Sequence, residues 1–359
     1  MSDGLKIQQF SLELYPTLIE FANTVHLPVM LNLQFLNHYY LGQDWSKLFL
    51  ATDGSKCLGI MGIDMLEFTA QASSLRVAFA SNFYSLQSGI GGMLWLKWIK
   101  LGDMGLVFGG SKDTHRIISA FKFDYYPGVN LYRLNAQFEA YEEDSFLKGA
   151  VKAGLRPWKR KKLTDYASKD LLKRFADIQV VERHAFSAEM MVPTSPFTLR
   201  FQPTLEYLQW RYNPRLSHVH YRLFEIVRSG QSCGYCVLND GPNELMVAYA
   251  DGNDPSVLAA GILKAIFLVG EKGGKHRKVV LSSSHPIMQA IFKESGFQLT
   301  NENYSFAMGS LRGSRNLGDP KTWLINFGMG DNDLRQNMFW TTFAASERVN
   351  KYETGGSII

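Results

Sequence analysis

The run Ser88-Gly89-Ile90-Gly91-Gly92 is the segment of this 359-residue sequence whose make-up points most directly to chemistry. It follows a strand-like stretch, 75 to 86, marked by Val77, Phe79, Phe83 and Leu86, and it precedes a helix-like stretch reaching about Lys100. A helix that opens at such a corner has unpaired backbone N–H groups at the positive end of its dipole, which favours anions. Glycines let a ligand approach the backbone closely. The chemistry is phosphate binding at Ser88, Gly89, Ile90, Gly91 and Gly92. Candidates for proton transfer are sparse. Asp113 and His115 open a helix in the same half; Asp113 reads first as an N-cap and second as a base, and His115 first as a surface side chain. Trp210, Arg211 and Asp331 are candidates for substrate contact, since arginine suits carboxylate or phosphate. Arg211 serves equally well as the internal partner of Asp331 or Asp333.

Other motifs carry less. Cys233-Gly234-Tyr235-Cys236 has the Cys-x-x-Cys spacing, but it falls inside a strand pattern, where the two thiols are expected on opposite faces. Redox use prefers a helix N-terminus, and zinc needs two further ligands that the sequence does not supply. His218 and His220 share a strand face without a third ligand, so no metal is expected. Arg156-Pro157-Trp158-Lys159-Arg160-Lys161-Lys162 places five basic residues in seven and reads as a solvated face, or alternatively as a clamp for an anion or a membrane surface.

Composition narrows the class. With 46% hydrophobic and 20% charged residues the chain buries a large core. Thirty-eight basic against 33 acidic residues give +5, too mild for a nucleic-acid protein. Three cysteines exclude a disulfide scaffold. The longest uncharged apolar run, Gly89 to Leu96, is less than half of the ~18 residues of a membrane span. The start Met1-Ser2-Asp3-Gly4-Leu5-Lys6 lacks the pattern of a signal peptide, so a soluble cytoplasmic protein is expected.

The elements that would position these residues come in two similar sets. Residues 5 to 40 read as mostly helical. A hairpin turns at Asp53-Gly54-Ser55, a third strand leads to the glycine corner and a helix, and a buried strand at Gly105–Phe108 leads to a second helix and a last strand pair within 128 to 134. The second half repeats the order: a hairpin turning at Ser229-Gly230, a strand at 244 to 250, a helix with Leu258, Ile262, Leu263, Ile266 and Phe267 on one stripe, a strand at 278 to 282, a helix begun by Ser284 and Pro286 and ended by Gly296-Phe297, and a closing strand at 305 to 308. Gly54 to Gly230, Gly105 to Lys278 and Phe123 to Phe297 are offset by 176, 173 and 174 positions, the mark of an internal duplication. The expected organisation is a first domain at 1–140, a connection at 141–200, a second domain at 201–340 and a tail at 341–359.

This order, with its glycine corner, resembles the GNAT N-acetyltransferase superfamily, whose loop after the fourth strand reads Arg/Gln-x-x-Gly-x-Gly/Ala and holds the pyrophosphate of acetyl-CoA. Leu86-Gln87-Ser88-Gly89-Ile90-Gly91 matches its glycines, with Leu86 at the Arg/Gln position and Gln87 one place late. The two-copy arrangement, with Leu208-Gln209-Trp210-Arg211-Tyr212, Trp323 and Asp331-Asn332-Asp333, looks like tandem bacterial members associated with surface polysaccharide. The resemblance implies an α+β fold of two GNAT-like domains, each a mixed twisted sheet flanked by helices, with acetyl-CoA or another acyl-CoA as cofactor in the first copy, bound by Leu86, Gln87, Ser88, Gly89, Ile90, Gly91 and Gly92 and by the strand end at Phe83 and Tyr84, whose backbone N–H groups near Phe83 to Leu86 would face the thioester oxygen. The second copy has Asp251-Gly252-Asn253-Asp254-Pro255-Ser256 in place of the loop, and its two carboxylates would repel phosphate. The family's usual tyrosine acid is replaced at both equivalent positions, by Ile118 and Phe292. Three functions follow from the resemblance: transfer of an acyl group to a small amine such as an amino sugar or amino acid; ligand or partner binding without catalysis; and transfer of a long acyl chain or of an aminoacyl group. Whether the chain forms a homo-oligomer is left open.

Overall fold

The computed structural model describes residues 4–71, 73–110, 112–126, 129–135, 151, 162–166, 169–241, 244–271, 277–299, 306–310, 316–326 and 328–329. The first set of elements is β1 (Lys6–Gln9), α1 (Tyr15–Thr24), α2 (Leu33–Tyr40), β2 (Ser46–Asp53), β3 (Lys56–Ala70), β4 (Ser73–Ser85), α3 (Ser88–Trp98), β5 (Met104–Phe108), α4 (Lys112–Ala120), β6 (Asp124–Tyr125) and β7 (Asn130–Leu134). The second begins after α5 (Lys169–Arg174). It runs β8 (Ile178–Arg183), β9 (Leu199–Phe201), α6 (Leu205–Arg211), β10 (Tyr221–Arg228), β11 (Gln231–Asp240), β12 (Glu244–Gly252), α7 (Pro255–Glu271), β13 (Lys278–Ser283), α8 (Pro286–Glu294), β14 (Gln298–Leu299) and β15 (Phe306–Gly309), with β16 (Trp323–Leu324) behind it. Met104 and Lys278, which open equivalent strands, are 174 positions apart, as are Lys112 and Pro286.

Local chemistry explains many of the boundaries. Asn32 caps α2 by accepting from Phe35 N at 3.0 Å, and Thr204 caps α6 by accepting from Tyr207 N at 3.2 Å. Ser229 and Gly230 take φ of 51° and 79°, the paired left-handed conformation of a tight hairpin turn. The ends of α4 and α8 are built alike. Lys122 and Gly296 are both left-handed, and Phe123 N and Phe297 N donate back to Ile118 O and Phe292 O at 3.2 and 3.0 Å.

Two mixed sheets result, one ordered β1-β2-β3-β4-β5-β15-β6, the other β14-β7-β13-β12-β11-β10-β8. Three apolar clusters hold them. One lies between the sheets and takes in Phe35, Tyr40, Phe79 and Leu106 from the first half with Leu223, Val237, Met246 and Tyr249 from the second. The other two sit on the outer faces, under α3 and α4 (Trp95, Trp98, Ile118) and under α7 and α8 (Leu258, Ile262, Phe292).

The structure corrects several sequence expectations. Residues 5 to 40 are not mainly helical at their start, because Lys6–Gln9 pairs with Phe49–Thr52 as an edge strand. The connection at 141–200 contains β8, which pairs with β10, and β9, which pairs with the overhang of β3 at Phe68–Ala70. The closing strands are exchanged: β7 of the first half pairs with β13, and β15 of the second half pairs with β5. Each is flanked on its other side by the host's short strand, β14 or β6. A boundary at residue 140 therefore does not separate two independent sheets. Ser284 does not cap α8; its hydroxyl donates to Trp323 O at 3.0 Å, and His285 takes the N-cap position. Cys233 and Cys236 pack toward the same outer cluster, since the register shift where Ser232 and Gly234 pair with Val227 and Ile226 leaves Cys233 in a bulge. Both thiols are free.

Candidate functional site

The first half opens a wedge at the glycine corner. β4 pairs in parallel with β5 only at Val77–Phe79 against Met104–Leu106, yet it continues to Ser85, so the two strand ends diverge. Along the diverging part β4 carries one extra residue against β3: Tyr84 pairs with Ile60 and Ser81 with Gly62. Asn82, within that bulge, has a φ of 44°. Phe83 packs on Trp95 on the outer face, while Tyr84 packs against the core between the sheets.

At the tip the chain turns into α3 through Ser85, whose Oγ donates to Gln87 O at 2.6 Å and accepts from Gln87 N at 3.3 Å. Gln87 occupies the N-cap position in extended conformation and makes no side-chain cap. The glycines divide their roles. A Cβ on Gly89 or Gly92 would meet nothing within 4 Å, whereas one on Gly91 would stand 3.2 Å from the Phe83 ring. Gly91 thus lets α3 sit close on β4, and Gly89 and Gly92 leave the helix start open to a ligand. Leu86 is 46% exposed at the rim, Gln87 is exposed, and Ile90 turns into the outer core. An uncapped helix start lined by glycine fits a pyrophosphate.

The corresponding corner of the second half is filled. β12 pairs with β13 only at Glu244–Met246 and then diverges toward Gly252. The Asp254 carboxylate accepts from Ser256 N at 2.7 Å and Val257 N at 2.9 Å, taking the amides an anion would use. Asp251 is buried against Arg200 at 2.6 Å and also accepts from Gly252 N at 2.9 Å. Burial raises the Asp251 pKa to about 6, with Arg200 opposing that shift. The wedge itself holds the chain's own backbone: Gly328 N donates to Ala248 O at 3.0 Å, and Asn326 bonds both Ala250 N (2.8 Å) and Ala250 O (3.1 Å). Ser282 Oγ secures Ile325 O from the β13 side at 2.9 Å. A Cβ on Gly328 would stand 2.3 Å from Ala248 O, so only glycine fits there.

The remaining candidates separate. His115, in the first turns of α4, is half-buried, with Nδ1 3.2 Å from Tyr125 Oη. The backbone of Asp113 lies in the same helix, while its side chain falls outside what the structure describes. Trp210 joins the halves: Nε1 donates to His38 O at 3.0 Å, and His38 Nε2 faces Trp210 O at 3.2 Å, which requires the Nε2–H tautomer. Arg211 is 2% exposed, donates to Tyr221 Oη and to Gly328 O, and stacks with its guanidinium 5.0 and 5.3 Å from the Tyr212 and Tyr39 rings. It is held inside the protein rather than offered to solvent. Asp331, Asp333 and the basic stretch 156–161 lie outside the described residues. Burial lowers the His38 pKa. It lowers that of His218 to about 4, helped by the charges of His38 and Arg211. Among the described residues no group of three or more His, Cys, Asp or Glu side chains is placed to hold a metal. Ile118 and Phe292 are both buried in the outer cores, so the two equivalent helix positions offer no proton.

Neither a family model nor a curated protein matches the sequence. Solved structures do match the fold. A GCN5-related N-acetyltransferase from Anabaena variabilis aligns at TM-score 0.51 and 8% identity, over 85% of this chain and 72% of its own. A Pyrococcus horikoshii protein titled "putative acetyltransferase" aligns at TM-score 0.52 and 12% identity, over 92% and 95%. A conserved Enterococcus faecalis protein of unknown function, carrying the words "Probable N-Acyltransferase", aligns at TM-score 0.52 and 7% identity, over 85% and 72%. The fold is that of the GNAT N-acetyltransferases. In that fold the sequence-named corner at residues 86 to 92 is the end of the fourth strand, because β1 supplies the first strand that the sequence pattern concealed. The signal that could have revealed β1 and β8 was the offset itself: Lys6 and Ile178 are 172 positions apart.

Proposed function

We propose that this chain is an acyl-CoA-dependent N-acyltransferase that binds its cofactor in the first copy and transfers the acyl group, acetyl in the simplest case, to a small amine. The observation that carries this reading is the contrast between two equivalent helix starts. That of α3 is uncapped, with open space over Gly89 and Gly92, whereas that of α7 is taken by Asp254 and its wedge by Ile325, Asn326 and Gly328. Backbone amides of residues 88 to 90 would hold the pyrophosphate, and the free edge of β4 would hold the extended arm. When bound, the cofactor supplies an activated thioester. The chain's part is to orient it along the wedge, to present a backbone N–H group near Phe83 toward the carbonyl oxygen, since Leu86 N is taken by Leu58 O at 2.9 Å, and to exclude water with the aromatic core around Tyr39, Tyr40 and Trp210. Titration calorimetry with acetyl-CoA tests the reading. One equivalent per chain is expected, and no heat at millimolar cofactor refutes it.

A second reading, ligand or partner binding without catalysis, is favoured by Ile118 and Phe292 at the positions of the usual acid. Thioester turnover that depends on the 88–92 corner refutes that reading. The acceptor amine, a longer acyl chain and a surface-polysaccharide setting are narrower proposals within the first reading. An acyl-chain and amine screen separates them.

A further inference from the structure

α3 leaves an apolar face uncovered, and that face begins at the glycine corner. Met93 is 39% exposed and Leu96 is 44% exposed, and they follow Gly89 on one stripe of the helix, four and seven positions on. Leu86, just before the N-cap, extends the stripe past the helix start. The opposite side of α3 is spent on the core, where Leu94, Trp95 and Trp98 are buried. Single exposed apolar side chains are ordinary, but three in line make a surface. The second half offers a comparison within the same chain. α7 is the counterpart of α3 there, and among its described residues it exposes no large apolar side chain; Leu258, Ile262, Leu263, Ile266 and Phe267 are all buried. The half with the filled corner covers its helix, and the half with the open corner does not.

Charge narrows the occupant. From Leu86 to Gly102 the sequence has no acidic residue, and the exposed Lys97 and Lys100 follow Met93 and Leu96 by four positions each. A second copy offering the same face would set lysine against lysine. A membrane surface calls for a cluster of about four to eight basic residues, more than this face carries. An acidic helix matches the face, and the stripe from Gly89 to Leu96, about 10 Å long, accepts two of its turns. Because the stripe runs into the corner at 88–92, a phosphate group at the edge of that partner would enter the corner directly.

We propose that α3 docks an acidic carrier protein whose phosphopantetheine arm brings the acyl group, so that the thioester reaches the wedge on a protein as well as on CoA. This rests on the cofactor site proposed above. The carrier's helix covers Leu86, Met93 and Leu96, its carboxylates face Lys97 and Lys100, and its phosphodiester takes the place of the CoA pyrophosphate on the amides of residues 88 to 90. The amine nitrogen bonds to the acyl carbon as the carbon–sulfur bond breaks. The proton that the nitrogen gives up ends on the arm's sulfur, so the carrier leaves as the free thiol and no co-reactant is consumed.

Calorimetry with CoA, with free 4′-phosphopantetheine and with an acidic acyl carrier protein of bacterial fatty-acid synthesis in its holo form tests the surface. The holo carrier should bind at least roughly tenfold more tightly than the free arm, since arm and helix engage together. That advantage should shrink in 1 M salt. Met93→Gln with Leu96→Gln adds no charge near the phosphate, and it should lose the advantage while binding CoA and the free arm as wild type does. Should that pair not fold, Lys97→Glu with Lys100→Glu should lose it as well. If wild type binds neither CoA nor the free arm, the cofactor site itself is refuted and this assignment falls with it. If wild type binds both but the holo carrier gains nothing over the free arm, or if the variants keep the full advantage, the docking surface alone is overturned. Binding to phosphatidylserine vesicles, or dimerisation in sedimentation, that Met93→Gln with Leu96→Gln abolishes would give the face to a membrane or to a second copy and overturn the carrier likewise.

Discussion

Replacing Gly89 by aspartate should separate folding from cofactor binding, because the two respond with opposite signs. Gly89 is the second residue of α3, and the space over it is open, so a side chain is accommodated without steric cost. A carboxylate in the first turn favours the helix by about 0.3–1 kcal/mol, and replacing a helical glycine adds about 0.5–1 kcal/mol. The variant should therefore melt no lower than wild type. The same carboxylate would stand about 5 Å from a phosphate bound at the helix start. At an effective dielectric between about 20 and bulk water, the repulsion is about 1–3 kcal/mol, or a loss of roughly 5- to 150-fold in affinity. Gly89→Asn has the same shape without the charge, so the ratio of the two affinities isolates the electrostatic part. Calorimetry with acetyl-CoA at low salt reads that ratio, and in 1 M salt it should shrink as the Debye length falls to about 3 Å. Equal affinities for the Asp and Asn variants at low salt would show that the phosphates do not sit at this corner.

Other outcomes can be checked by thermal or denaturant melts. Arg200→Met leaves the Asp251 carboxylate buried without its partner and should cost about 3–5 kcal/mol. Because burial lifts the Asp251 pKa from the ordinary 3.8 to about 6, the folded state binds more protons than the unfolded state between those values. This group's contribution to stability therefore falls as pH rises through that window, and Asp251→Asn should flatten the dependence. Gly328→Val places a side chain against Ala248 O, which stands 2.3 Å from the Cβ position. It should cost at least about 1–3 kcal/mol and speed amide exchange along β12. Lys122→Gly, at a left-handed position matching Gly296, should raise stability by about 1 kcal/mol.

What was legible in the sequence was whatever a few neighbouring residues fix. The Ser229-Gly230 turn and the chain-reversing Gly296-Phe297 act through contacts within a handful of positions. They set the element order, and their spacing from Gly54 and Phe123, with that of Lys278 from Gly105, exposed the duplication. The corner at 88 to 92 was legible for the same reason, since helix start, glycines and preceding strand are contiguous.

Short edge strands escaped that reading, because Lys6–Gln9 and Ile178–Arg183 are too brief to show alternation and gain their order from partners some 40 positions away. The exchange of β7 and β15 could not be read at all. Either strand carries apolar residues suited to either sheet, and only the shared core decides which one it joins. The same holds for the fate of the two clefts. The sequence alone named two acidic residues at the second corner, but the filling of its wedge by Ile325, Asn326 and Gly328 and the burial of Asp251 on Arg200 arise from groups that must find hydrogen bonds once the strands diverge. Tyr40 meets Asn82 only because α2 is laid across the bulge. The sequence by itself determined two copies of one element order and an open glycine corner in the first. Tertiary structure decided how those copies are locked together and why only one of them is left with room for a ligand, since backbone hydrogen bonds and buried charges are satisfied by whichever groups the packed core brings near.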